Sequence, residues 1–179
     1  MPSLSVKFDN VVFPLDHEID IRGPQEWLTP NFTQATVHAI FVAAIYDGVA
    51  RAARDWLVEF LKSRKPSNLG ASLATLPRVQ EIVGGIEARL AVNARLIDSF
   101  AGDFDDGVLL SASESNIVKL TVTNNAAAIV EDALSLTSNH GLTRANPLER
   151  HYRDVLCGRV HTPQDDATRV SAGRIALGL

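Results

Sequence analysis

The stretch TPNFTQATVHAIFVAAIYDGVARAARDWLVEFLKSR, residues 29–64, decides the fold class. Thr29 can cap a helix whose first position is Pro30, where a missing N–H leaves no bond unmade. Val37, Phe41, Ala44, Ile45, Gly48, Val49, Ala52, Trp56, Leu57 and Phe60 then recur at steps of three and four. That is one apolar helical face sustained for about nine turns. Asp47, Arg51, Arg54, Asp55 and Glu59 fall mostly off it. Ala43, Ala44, Gly48, Ala52 and Ala53 are small, so another helix can approach closely. Pro66 disfavours helical geometry at the residue before it, which predicts a helix end near Arg64.

The same period continues downstream. After a loop from Ser67 to Leu73 containing Gly70, a second helix is expected from Thr75 or Leu76, with Pro77 in its first turn. Its face is Val79, Ile82, Val83, Ile86, Leu90 and Ile97. Asn93 lies on that stripe, and a buried amide needs partners. Gly102 to Gly107, with three aspartates, reads as an acidic linker. Ser111 and Glu114 have capping-box spacing and open a third helix running to about Ser138. Its apolar residues lie around much of its circumference, the pattern of a buried helix. Asn139-His140-Gly141 interrupts the period. Asn146, Pro147 and Glu149 start a fourth, shorter helix, and Thr162-Pro163 with Asp165 and Asp166 starts a fifth. Three long and two short helices with brief connections predict an antiparallel bundle over residues 29–179.

Upstream, Leu4 to Phe8 and Val11 to Pro14 read as short extended pieces around an Asp9-Asn10 turn. Two such pieces are marginal alone and need a partner this chain does not obviously supply. Residues 16–27 read as a loop. The expected fold class is therefore mainly α, an antiparallel helical bundle preceded by short β-strand segments.

Composition narrows the function classes. The 179 residues fit one domain, and 46 % hydrophobic with 21 % charged residues is a globular composition. A net charge of −4 offers no basic surface, which argues against nucleic acid. No uninterrupted apolar run reaches the roughly 18 residues of a membrane helix, so no membrane is expected. The first ten residues, MPSLSVKFDN, lack the apolar core of a secretory signal. Cys157, the only cysteine, has no internal partner, and a lone thiol fits a reducing cytoplasm. No metal site is assigned.

The order of segments resembles the C-terminal half of the acyl-CoA dehydrogenase superfamily across essentially the whole chain. VKFDNVVFP (residues 6–14) looks like the last strand of that family's middle β-domain, making residues 1–28 its remnant and linker. SRKPSNLGASLATLPRVQE (63–81) resembles the family's Arg-x-x-Phe-Gly segment and the next helix start. SESNIVKLTVTNNAAAIVEDALSLTSNHGLT (113–143) looks like its third helix and glycine-containing turn. NPLERHYRDVLCGRVHTPQDD (146–166), with its Arg153-Asp154 pair, resembles the stretch before the active-site loop and is the most specific block.

The resemblance implies a flavin, FAD or FMN, and a homo-oligomer, dimer or tetramer, in which the bundle supplies subunit contacts and part of the flavin pocket. Carried over by position, Arg64, Leu69 and Gly70 would approach the flavin's pyrophosphate or adenine portion, and Asn139 and Gly141 a neighbouring subunit's cofactor. An arginine can give charge-assisted bonds to phosphate, and glycine permits close backbone approach. The alternative reading is that Arg64 is a solvated cation near a helix end and the glycines serve turns. The sequence also departs from the family. The Phe-Gly pair is Leu69-Gly70, and its spacing to Arg64 differs; Ser138 and Asn139 replace paired glycines. The catalytic glutamate of the dehydrogenases aligns with Thr162, preceded by His161. A threonine hydroxyl is no base near neutral pH without activation.

A histidine in this loop is similar to the family's flavin monooxygenase branch, the dibenzothiophene- and sulfone-type oxygenases, where it can hydrogen-bond the reacting oxygen. His161 is accordingly the candidate catalytic residue; the alternative is a loop histidine at a helix boundary. The family's complete enzymes carry two further domains before the bundle. The chain is then a fragment, a split subunit completed by a separate chain with the missing domains, or a flavin-free helical oligomerisation module.

Overall fold

The Asn31 side chain begins the first long helix by accepting a hydrogen bond from the Gln34 backbone N–H at 3.0 Å. The structure, a computed structural model, describes residues 5–17, 22–26, 31–108 and 110–179. Thr29 and Pro30, expected as cap and first helical residue, lie outside them, as does Leu4. Helix α1 (Phe32–Ser63) ends as expected, with Arg64 in extended backbone and its N–H bonded to the Phe60 carbonyl at 2.9 Å. Helix α2 (Pro77–Asp105) starts with proline in its first turn. Helix α3 (Ala112–Thr137) opens with the expected capping box: Ser111 Oγ accepts from Glu114 N, and Glu114 Oε2 accepts from Ser111 N at 3.0 Å. Ser138, at φ +50, breaks it. Then follow α4 (Asn139–Leu142), α5 (Leu148–Val155) and α6 (Asp165–Ala176).

Helix α3 is the hub, packed against α1, α2, α5 and α6, as its all-round apolar surface predicts. Cross-links fix the directions. Arg54 bonds Glu87 and Asp47 bonds Asn93, so α1 and α2 run antiparallel. Arg89 to Asp132 and Asn93 to Asn125 make α2 and α3 antiparallel as well.

Three expectations need correction. The face of α1 that packs is Ala39, Val42, Ala43, Tyr46, Ala50, Ala53, Leu57 and Leu61. Phe41 and Ile45 are 65 % and 56 % exposed, and Ala44, Gly48 and Ala52 are exposed too. From Phe41 to Ala52 the two stripes differ by one residue, about 100° around the helix. Leu57 belongs to both, and Val49, Trp56 and Phe60 of the expected face pack half-buried against the core. Both stripes satisfy the period, and contact with α3 selects one of them. Second, α2 runs through the acidic stretch read as a linker. Burial of Phe100 extends its apolar stripe, and the helix stops only at Gly107, whose φ of +77 suits glycine.

Third, residues 5–14 form no strand, and there is none among the described residues. Phe8 is 79 % and Val12 95 % exposed. The chain bends at Asn10, with φ +49, but nothing among the described residues offers a neighbouring edge to complete a sheet. One 18-residue window in α1 has mean hydropathy 1.2, enough by length and composition to cross a membrane. The same apolar character is what lets one of its faces form the bundle core.

Asp47 was expected to lie off the apolar face, and it is buried. Its Oδ2 accepts from Arg51 Nε at 2.6 Å and its Oδ1 from Asn93 Nδ2 at 2.9 Å. Asn93 Oδ1 accepts in turn from Asn125 Nδ2 at 2.8 Å. The partners Asn93 requires thus come one from each neighbouring long helix. Truncating Asn93 strands polar groups on both sides, each worth about 1–3 kcal/mol. Asn93→Ala should therefore lower the urea midpoint of this chain markedly at unchanged slope. The exposed control Asp98→Ala should change stability by no more than about 0.5 kcal/mol.

Candidate functional site

The segment between α5 and α6 is folded onto the middle of α1 and α3. After α5 the chain tightens into a 3-10 turn, Leu156–Arg159, in which Gly158 is buried. A Cβ there would lie 3.1 Å from Thr123 Cβ and 3.3 Å from the Tyr46 ring, so glycine is what lets the turn sit this close. The Val160 and His161 N–H groups both donate to the Cys157 carbonyl at 3.1 Å, which turns the chain back toward α1. His161 Nδ1 then lies 3.0 Å from the Tyr46 hydroxyl, with the two rings 5.7 Å apart.

Beneath the loop lies Lys119, fully buried. Its Nζ donates to the carbonyls of His161 at 3.0 Å and Pro163 at 2.9 Å, and lies 3.5 Å from Asp165 Oδ1. Asp165 Oδ2 accepts from Asn124 Nδ2 at 2.8 Å. Burial pushes the Lys119 ammonium below the usual lysine range, against the opposing pull of Asp165. The Tyr46 phenol is pushed up to about 12, chiefly by burial and then by the fields of Cys157 and Asp154. It is thus protonated at any ordinary pH. Thr162, at the position where the resemblance expects a carboxylate, is exposed.

The expected cofactor-binding residues fall elsewhere. Arg64 and Asn139 meet at one cleft of about 310 Å³, lined also by Phe60, Leu73, Leu136 and His140. The His140 ring lies 5.3 Å from Phe60 in this cleft, and Phe60 stacks at 5.3 Å on Trp56, one turn back along α1 and outside the lining. Phe60 is fourteen residues beyond Tyr46 on α1, which separates this cleft from His161 by about 20 Å. Leu69 and Gly70 do not line it. They form the turn after α1, in which the Leu69 N–H bonds the Pro66 carbonyl and Gly70 takes φ +69. Gly141 is buried. A Cβ there would overlap the Thr137 hydroxyl and lie 2.9 Å from Leu134, so its close approach is to α3. Among the described residues no group of three or more His, Cys, Asp or Glu is arranged to hold a metal.

Sequence reading missed Tyr46, Gly158, Asn124 and Lys119. Only Lys119 left a signal, as the lone cation of α3 amid Ile117, Val118, Leu120 and Val122, where a buried ammonium needs several acceptors.

Residues 33–164 match the family described as acyl-CoA dehydrogenase, C-terminal domain. The chain belongs to that family. A Bacillus subtilis protein assigned as an acyl-CoA dehydrogenase, YdbM, is 37 % identical over 130 residues, 72 % of this chain and 34 % of its own length. The L-evernosamine nitrososynthase of a Micromonospora strain is 34 % identical over 157 residues, 80 % of this chain and 35 % of its own. The family fold is also met in butyryl-CoA dehydrogenase from Megasphaera elsdenii, with TM-score 0.74 at 20 % identity over 80 % of this chain and 37 % of that one. Nitroalkane oxidase gives TM-score 0.74 at 20 % identity over 80 % of this chain and 34 % of its own. The chain therefore spans only about a third of the length of these relatives.

Two outcomes follow from the packing of this segment. Gly158→Ala should cost about 1–3 kcal/mol in denaturant unfolding and weaken the Tyr46 to His161 contact, since neighbours on two helices must move. The raised Tyr46 value fixes a sign in pH. The folded state holds the phenolic proton more tightly than the unfolded chain, where the value is 10.0, so stability is intact below that value and falls as pH rises toward about 12. Unfolding measured across that window should lose this component in Tyr46→Phe.

Proposed function

We propose that this chain is the C-terminal helical part of a flavin-dependent oxidoreductase, contributing subunit contacts and part of the flavin site. We further infer that the assembled enzyme transfers oxygen to its substrate and does not oxidise acyl-CoA. The observation that carries this reading is the His161 loop. Thr162 stands where a proton-abstracting glutamate would be needed, and the neighbouring carboxylate, Asp165, is engaged by Lys119 and Asn124. His161 is the group held out beside it. The similarity to a nitrososynthase, whose product class contains a new nitrogen–oxygen bond, supports oxygen transfer. The similarity to an acyl-CoA dehydrogenase keeps the other chemistry as the comparison to test.

The cleft around Arg64 suits a flavin nucleotide chemically. A guanidinium can meet phosphate, and the Phe60 and His140 rings offer an aromatic face. When bound, FAD or FMN would supply the redox chemistry, with Arg64 and Asn139 as the residues to hold part of it. The exposed stripe Phe41, Ala44, Ile45, Gly48 and Ala52 supports burial against more protein, either a second copy in a homo-oligomer or domains on the same or a separate chain. Residues 1–28 then belong with the preceding domain and 29–179 with the bundle, and the location would be cytoplasmic. The second reading, a flavin-free oligomerisation module, draws on that same stripe.

Flavin titration of the assembled protein, followed by visible absorbance, separates the two: binding weakened by Arg64→Ala supports the first reading, and no binding supports the second. The chemistry is tested by giving the complete protein reduced FMN or FAD, oxygen, and amine, organosulfur or aromatic substrates. Oxygenated product should appear and fall about 10²-fold in His161→Ala. Acyl-CoA oxidation with an electron acceptor, and no oxygenation, would overturn the reading.

A further inference from the structure

An ammonium with no exposed surface sits beneath the loop that carries His161. An isolated buried charge is costly, and a methionine would fill similar space without that cost. What Lys119 provides is geometric. Its three N–H donors face three oxygens of one short segment, the carbonyls of His161 and Pro163 and the Asp165 carboxylate. Two of these are backbone groups, so Lys119 fixes the course of the loop whatever side chains it bears. Asp165 is itself held by Asn124 from the next turn of α3.

The ring of His161 is held from the opposite side. Tyr46, rooted in α1 and buried, meets Nδ1 at 3.0 Å, while His161 as a residue is exposed. A protonated phenol can donate to an unprotonated Nδ1, an arrangement that carries the imidazole proton on Nε2. The chain supplies no partner for Nε2 among the described residues. The backbone of this histidine is thus anchored by α3 and its ring by α1.

We propose that Lys119 and Tyr46 are positioning residues for His161, Lys119 fixing the loop through its carbonyls and Tyr46 fixing the ring as an outward Nε2–H donor. This rests on the reading of His161 as the working group of the site. It adds the chemistry of what that group serves: a hydrogen-bond acceptor atom, oxygen-centred or anionic, on the bound substrate or cofactor.

The test is spectroscopic and needs no turnover. In the 179-residue chain with labelled histidines, five in all, the His161 signals are assigned by their loss in His161→Gln. Long-range proton–nitrogen spectra near neutral pH should show Nε2 protonated and Nδ1 as an acceptor. Tyr46→Phe should shift the ring toward a mixture of tautomers while the loop backbone stays ordered. Lys119→Met should speed amide exchange of residues 159–164 by about tenfold or more, leaving the α1 and α2 amides protected. Lys119→Gln, which keeps N–H donors, should recover part of that protection and covers the case in which the methionine variant folds poorly. An Nδ1–H tautomer in the parent chain, or unchanged ring and loop signals in folded variants, would overturn the inference. In the complete enzyme, Lys119→Met should lower kcat more than it changes KM, and add nothing to His161→Ala. Full oxygenation by His161→Ala with the spectra as expected would remove the functional reading alone.

Discussion

The close approach of α1 to α3 sets the geometry on which the remaining contacts depend. Ala39, Ala43, Ala50 and Ala53 on α1, and Ala126, Ala127 and Ala133 on α3, are fully buried. Side chains this small bring two helix axes together, so the larger Tyr46, Leu57, Ile129 and Val130 interdigitate in a continuous core. The same approach lets Tyr46 of α1 and Lys119 of α3 reach one loop from two sides. It also explains why α1 buries Ala39, Ala43, Tyr46 and Ala50 and leaves Phe41, Ala44, Ile45, Gly48 and Ala52 open.

Within that frame, polar groups fix register where alanine contacts alone would leave it loose. The Asp47, Asn93 and Asn125 bridge ties one point on α2 to a point on each of α1 and α3. Slipping any helix by a turn would strand a buried carboxylate or amide, a much larger penalty than a repacked methyl group. Lys119 does the corresponding job at the C-terminal loop. In each case the buried polar group answers to a partner on a different element, which is why its cost is tolerated.

The candidate site divides into two regions on α1. One is the His161 loop at mid-helix; the other is the cleft at the helix end, where Arg64 and Asn139 come together. The first has a defined hydrogen-bond pattern around His161; the second has a cation beside the Phe60 and His140 rings. Gly141, which stands beside the second region in sequence, is used to pack α4 on α3. Closeness along the chain and use in a site are different properties, and the packing of a single glycine separates them here.

The sequence by itself determined the helices, most of their ends and the family. Each depends on local signals: the 3.6-residue period, the Ser111–Glu114 box, Pro66 and Pro77, and the ordered block around Arg153-Asp154. Tertiary structure alone decided which stripe of α1 is buried, because both satisfy the same period and only α3 distinguishes them. It decided that the acidic stretch after Gly102 continues α2, because Phe100 finds a core to enter. The two extended pieces near the N-terminus formed no strands, since pairing needs a second edge that local propensity cannot supply. Tyr46 and Lys119 belong to the site through contacts across 115 and 42 residues of sequence. No spacing rule encodes a contact of that range; it exists only once three helices have packed.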